Sequence, residues 1–290
     1  MDDLDFSGRV KRLQIISTQL IEGMFSGNYR STFKGPGLEF NEVREYQDGD
    51  DVRFIDWNVT SRMQEPYTKT FKEERELILN IIMDVSASLS EVGGGKSKRE
   101  VAETLFGIIA FAAVANNDRV GVLMFSSIIE HSVSPMKGKK HVLRLLHDVI
   151  THKPKEKGSD LALALRTAQE SMKKRGICFI LSDFRSSDYY RELSILSRKQ
   201  DVIAVRIIDK LEREYPNTGL IPLEDPETGE IIDGYGRSKK FRKEYREFWE
   251  LERLQWVNNC KKLGIGILEV DTEEDPGKAL LKFFNRRKKR

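Results

Sequence analysis

Five oxygen-bearing residues are spaced so that they can gather round one hard cation. Asp84, Ser86 and Ser88 alternate in the run Asp84-Val85-Ser86-Ala87-Ser88, directly after the apolar stretch LILNIIM at 77–83. A carboxylate and two hydroxyls at alternate positions of an extended loop can point the same way, giving oxygen donors with few full charges. Mg2+ takes such donors octahedrally and retains some of its water, and Mn2+ or Ca2+ accept the same donor type. Ser159, in Gly158-Ser159-Asp160 ahead of a helical stretch, and Asp183, directly after ICFILS at 177–182, can complete the set if three loops converge. A local reading competes with this one. Ser86 and Ser88 would then cap a helix start, and a nearby Lys or Arg would neutralise Asp84. Capping, however, gives Ser159 and Asp183 no reason to converge on the same place.

Convergence depends on the elements that carry these loops. Apolar runs at 77–83, 120–125, 177–182, 202–208 and 265–270 read as strands, and a short run at 128–133 follows closely enough for a hairpin. Helical periodicity covers 98–115, 139–150, 160–174, 188–199 and 238–263. Strands alternating with helices predict an α/β fold, a doubly wound and mostly parallel sheet covered on both faces. In such sheets ligands collect at the carboxyl ends of the strands, where the three loops lie. The segment 211–236 reads as a polar hairpin insertion turning at Pro226-Glu227-Thr228-Gly229. Residues 9–22 read as an amphipathic helix docking on a larger body, and Gly27 to about Glu76 as short strands and turns. The expected organisation is therefore an N-terminal helix with a β-rich cap at 1–75, followed by the main domain at 76–290. Within the cap, Asp50, Asp51, Asp56, Arg44, Arg53 and Arg62 are expected to pair with one another and with turn amides, and Trp57 to anchor a small core.

The Asp-x-Ser-x-Ser run, with a later hydroxyl and a later Asp, resembles the metal-ion-dependent adhesion site of von Willebrand factor A domains. Asp84, Ser86 and Ser88 match its first segment and Asp183 its last; Ser159 stands where that family usually has Thr, so a hydroxyl is retained. The resemblance implies an open metal position that a partner's Asp or Glu carboxylate fills. A second block is similar to the hallmark of the bacterial domain-of-unknown-function-58 family. It comprises Gly35-Pro36-Gly37-Leu38-Glu39-Phe40, Val43-Arg44-Glu45-Tyr46, Gly49-Asp50-Asp51-Val52-Arg53 and Ile55-Asp56-Trp57, with Ser61-Arg62 where Ala-Arg is frequent. That family resembles von Willebrand A domains and is commonly encoded beside MoxR-type AAA+ ATPases. The resemblance thus implies a protein-binding accessory of such an ATPase, or a binder of its substrate.

Other chemistries fit less well. Gly93-Gly94-Gly95-Lys96-Ser97 looks like part of a phosphate-binding loop, yet the motif needs a glycine where Ser90 stands. A nucleotide-binding or hydrolysing enzyme centred on Lys96 remains the alternative, as does a scaffold whose metal site is vestigial. An Asp84 nucleophile would want a second carboxylate at position 86, which is serine. The four histidines, His131, His141, His147 and His152, form neither a triad nor a zinc pattern and are expected at the surface or an interface. Of 290 residues 39% are hydrophobic and 33% charged, with 49 basic against 46 acidic for a net charge of +3, which gives no domain-wide case for nucleic acid. Residues 286–290 are all basic and are expected to be solvated and frayed. No apolar run suffices to span a bilayer, the N-terminus does not read as a signal peptide, and two cysteines give no disulfide framework, so a cytoplasmic protein is expected.

Overall fold

Runs such as LILNIIM and ICFILS are apolar at every position but one, Asn80 in the first and Ser182 in the second, which suits strands covered on both faces. The computed structural model describes residues 3–24, 39–72, 77–90, 96–224 and 231–288. The glycines at 93–95, the hallmark residues 35–38 and the hairpin turn at 226–229 lie outside the described residues. The apolar runs become β3 (Ile78–Asp84), β4 (Arg119–Phe125), β6 (Ile177–Ser182), β7 (Asp201–Ile208) and β10 (Gly266–Asp271). With β5 (Ile129–Met136) they form a six-stranded sheet in the order β10-β7-β6-β3-β4-β5. Every pairing is parallel except β4 with β5, the expected hairpin.

Helices cover both faces. Ile82, Phe125, Cys178, Ile180 and Ala204 pack on α6 (Leu161–Ser171), α7 (Tyr190–Lys199) and α9 (Lys239–Lys262) through Leu161, Leu165, Leu193, Leu196, Trp256 and Cys260. Leu79, Ile81 and Met83 alternate with Ile82 and so face the other side, where α4 (Lys98–Ala115) crosses β3, β4 and β7 and packs on α5 (Lys139–Thr151). The helix after β3 thus lies on one face and the helix after β6 on the other. Their strands are neighbours, so the strand order reverses between their carboxyl ends, the place where ligands bind in such sheets.

Two short helices, α3 (Ala87–Ser90) and α8 (Lys210–Arg213), and a long α10 (Pro276–Lys288) are additions to the expected series. The last buries Ala279, Leu280 and Phe284 and carries the start of the basic tail, where Arg287 pairs with Asp201 at 2.5 Å rather than fraying; residues 289 and 290 lie outside the described residues. The insertion contains the antiparallel pair β8 (Leu220–Glu224) and β9 (Ile231–Tyr235). The helix α1 (Asp3–Met24) packs on α4 and α10. It therefore groups with the sheet, since one compact unit comprises residues 1–26 and 77–290 and the other residues 27–76.

The smaller unit is built on β1 (Glu39–Glu45) paired antiparallel with β2 (Tyr67–Lys72), a single 3-10 turn (Val52–Phe54) and α2 (Trp57–Met63). Arg44 pairs with Asp50 at 2.7 Å and Arg53 with Asp51 at 2.6 Å, as expected, and Asp56 caps α2 through the Asn58 and Val59 amides; among the described residues its ion pair at 3.2 Å is with Lys69, outside the expected set, and Arg62 pairs with none of these acids. Trp57 corrects its expectation. It opens α2 with 69% of its surface exposed, because Asp56 at the cap fixes the helix start and turns position 57 outward.

Candidate metal centre

Asp84 is the last residue of β3, and its carboxylate is wholly buried. The chain leaves the sheet there, and the Ser86 N–H folds back to donate to Asp84 Oδ1 at 2.9 Å. The Oδ2 atom accepts from Ser159 Oγ at 3.1 Å and from Ser182 Oγ at 2.8 Å. Ser86 Oγ lies 3.1 Å from Ser88 Oγ, both buried, and Ser186 Oγ lies 3.0 Å from Ser159 Oγ. The loop after β3, the loop before α6 and the end of β6 therefore meet at one carboxylate.

Backbone bonds hold these loops in place. Val85 N–H donates to Phe125 O, Ala87 N–H to Lys157 O and Asp160 N–H to Ser126 O, each at 2.8–2.9 Å. Glu130, buried on β5, fixes the loop ahead of Ser159 by accepting from Ser126 Oγ and from the Lys155 and Glu156 amides at 2.7, 2.9 and 3.2 Å. Burial alone would raise the Glu130 pKa, but these donors outweigh it and hold the carboxyl below its ordinary value. Beyond β6, Phe184 adopts a left-handed backbone with φ of 58°, unusual for a bulky residue. Its ring packs 5.1 Å from Trp256 and 6.0 Å from Tyr189, and its N–H donates to Ser182 Oγ at 2.9 Å. That anchoring sets the directions of Asp183 and Arg185 on either side.

The two acids of the site differ electrically. Burial, and then the charge of Asp183, push Asp84 up to about 6 against the hydrogen bonds of Ser86 and Ser182. Asp183 is equally buried, yet Lys98 and Arg185 outweigh burial and hold it below its ordinary value. The Lys98 ammonium donates to Asp183 Oδ2 at 3.1 Å and also pairs with Glu212 Oε1. Among the described residues no cation pairs with Asp84, so the Lys or Arg neutralisation of the competing reading falls on Asp183 instead.

The residues present fit a hard divalent cation. One carboxylate surrounded by hydroxyls, with a second acid alongside, is an oxygen-only donor set, and the buried charge of Asp84 gives a cation something to neutralise. Among the described residues no group of three or more His, Cys, Asp or Glu side chains is placed to hold a metal. At this site the third and later donors would be hydroxyls. Sequence reasoning missed Ser182, which ends an apolar run and reads as part of the strand, and Lys98, Arg185 and Glu212, whose signal is only their position beside strand ends. Elsewhere, Ser97 is taken up by a capping box with Glu100, and Lys96 is exposed. His152 faces Glu130 and His131 faces Asp148, each at 3.5 Å, while His141 Nε2 lies 2.8 Å from Val120 O.

With this geometry in place, comparison with known proteins gives a family. The one described as "Protein of unknown function DUF58" matches residues 42–254, most of the chain. The chain belongs to that family. Similar proteins include the uncharacterized protein Rv1480 of Mycobacterium tuberculosis (strain ATCC 25618 / H37Rv) and the uncharacterized protein Mb1516 of Mycobacterium bovis (strain ATCC BAA-935 / AF2122/97). Each is 26% identical over 292 residues, covering 100% of this chain and 92% of the relative. Among solved structures, the conserved hypothetical protein BatB from Bacteroides thetaiotaomicron is similar at a TM-score of 0.43 and 14% identity, over 74% of this chain and 100% of that one. The SpRpn10 VWA domain is similar at 0.42 and 11%, over 71% and 94%. These likenesses are loose, and the doubly wound, mostly parallel α/β fold of this family member rests on its own strand order and helix placement.

Proposed function

We propose that this protein is a metal-dependent protein-binding module. Asp84, Ser86, Ser88 and Ser159 would hold Mg2+, or Mn2+ or Ca2+ in its place, and Asp183 would assist directly or through water. The observation that carries this reading is the wholly buried Asp84 carboxylate, met by the Ser159 and Ser182 hydroxyls and the Ser86 amide at the carboxyl edge of the sheet. A bound cation would supply a Lewis-acidic position for a partner's Asp or Glu. The chain's own residues do the rest: Ser182 and the Ser86 amide orient Asp84, Glu130 holds the Ser159 loop, and the Phe184 turn presents Asp183. By resemblance the partner is a MoxR-type AAA+ ATPase or its substrate, met in the cytoplasm. Immobilised wild type should capture the MoxR-type ATPase of the same genome with Mg2+ and release it on chelation, and Asp84→Ala should not capture it. Capture by Asp84→Ala at unchanged, metal-insensitive affinity would sink this mechanism.

One observation favours a second reading. Lys98 already supplies a cation to Asp183, as a scaffold with a vestigial site would need. Under that reading neither metal nor chelator changes stability or binding.

A further inference from the structure

Lys98 lies in the first turn of α4 with 4% of its surface exposed. Its ammonium is shared between two buried carboxylates, Asp183 at 3.1 Å and Glu212 on α8. Arg185 reaches the same Glu212 oxygen at 3.2 Å, lies 3.9 Å from Asp183, and stacks 4.7 Å above the Trp249 ring of α9. Taking an ammonium out of water is costly unless acids compensate it, and removing one partner of such a set leaves the others stranded. Two acids and two bases here would balance one another as a closed structural network. The network is not closed: Asp183 directly follows Ser182, whose hydroxyl donates to Asp84 Oδ2 at 2.8 Å, so the charge of Asp183 adjoins the Asp84 carboxylate.

We propose that Lys98 sets the charge of the Asp84 site, weakening its hold on a divalent cation while strengthening its hold on a partner's carboxylate once the cation is bound. This deepens the metal-dependent reading above and rests on it. Asp84, Asp183 and Glu212 against Lys98 and Arg185 leave the metal-free cluster with one net negative charge. A divalent cation turns that into one net positive charge, which a single Asp or Glu side chain neutralises. The same cluster without Lys98 would be doubly negative when empty and neutral when loaded. It would then bind metal tightly and have little electrostatic reason to take a carboxylate. At separations of a few ångströms and an effective dielectric near 20, one charge is worth at least roughly ten-fold in either equilibrium. Glu212 is the counterweight, and its removal acts in the opposite sense.

The test uses the full chain with Mn2+ alone as the metal probe and acetate as the carboxylate probe. Calorimetry reads Mn2+ affinity, and water-proton relaxation reads displacement of Mn2+-bound water by acetate. Lys98→Met is expected to bind Mn2+ roughly ten-fold tighter and to need roughly ten-fold more acetate, and Glu212→Gln is expected to reverse both signs. A merely structural role would weaken metal binding in both variants. If Lys98→Met does not fold, Glu212→Gln alone decides, by weaker Mn2+ binding together with tighter acetate binding. Wild type that binds Mn2+, with variants that shift together or not at all, overturns this inference and leaves the proposed function standing. Wild type that binds no Mn2+ overturns both.

Discussion

Asp84 concentrates the chemistry of this protein, and its carboxylate is held at a cost. In the metal-free folded state it keeps its proton up to about pH 6, whereas an unfolded Asp releases it near its ordinary value of 3.8. Folding therefore takes up a proton between those values. The Asp84 contribution is most favourable below about pH 4 and is lost as pH rises through about 6. Asp84→Asn keeps the shape without the charge, so in chelator at pH 7.5 it should be more stable than wild type, by on the order of 2 kcal/mol in urea unfolding. The advantage should shrink towards pH 4, and one that grows on acidification would contradict this account of the site. Among the ligand candidates, Asp84, Ser86 and Ser88 stood out because they alternate directly after an apolar run, Asp183 because it follows another, and Ser159 because it precedes a helical stretch. Ser182 was not legible, since a hydroxyl ending a strand carries no sign of facing a carboxylate 98 positions away. Nor was Lys98, because a lysine in the first turn of a helix ordinarily reaches water.

The elements were the most legible part, for a physical reason. A strand buried on both faces must be largely apolar, so ICFILS maps onto β6 residue for residue, and the α4 periodicity maps onto Lys98–Ala115. Helix ends were read less well. The stretch 160–174 yields a helix only to Ser171; Lys174 O instead accepts from Gln200 Nε2 at 2.9 Å, two residues before the close approach of Gly176 to β3. A Cβ on Gly176 would collide with the Ile78 carbonyl, and Gly176→Ala should cost about 2 kcal/mol or more in denaturant unfolding. α10 was passed over because its basic end drew attention from Ala279, Leu280 and Phe284, whose spacing is helical. The nucleotide alternative also belongs to this scale. Ser97 Oγ accepts from the Glu100 amide and the Glu100 side chain accepts from the Ser97 amide, so Ser97→Ala should cost about 1 kcal/mol of stability. Lys96→Ala should leave stability and partner binding unchanged, and a loss of ATP binding on that substitution would revive the enzyme reading.

For the whole molecule, the chain ends meet on one helix. α1 crosses α4 where Gly107 gives it room, for a Cβ there would lie 2.6 Å from Leu13 Cδ1, and it meets α10 at Gly277, beside Ile16. Leu13→Ala should therefore cost about 2–4 kcal/mol in thermal or urea unfolding, as a buried contact does, and a loss under 1 kcal/mol would mean the helix is dispensable to the main unit. This docking was legible as an amphipathic pattern, but its target was not, because periodicity names a face and never its partner. No helix among the described residues is long and apolar enough to cross a membrane. The central claim, that the Asp84 cluster holds a divalent cation, is tested most directly by thermal unfolding of wild type and Asp84→Ala in chelator and in millimolar Mg2+ or Mn2+. A ligand that binds only the folded state must raise its stability, by about 2.7 kcal/mol at a hundredfold excess over its Kd. The account predicts a rise in melting temperature of roughly 5 °C for wild type and none for Asp84→Ala. Equal rises in both proteins, or none in either, would contradict it.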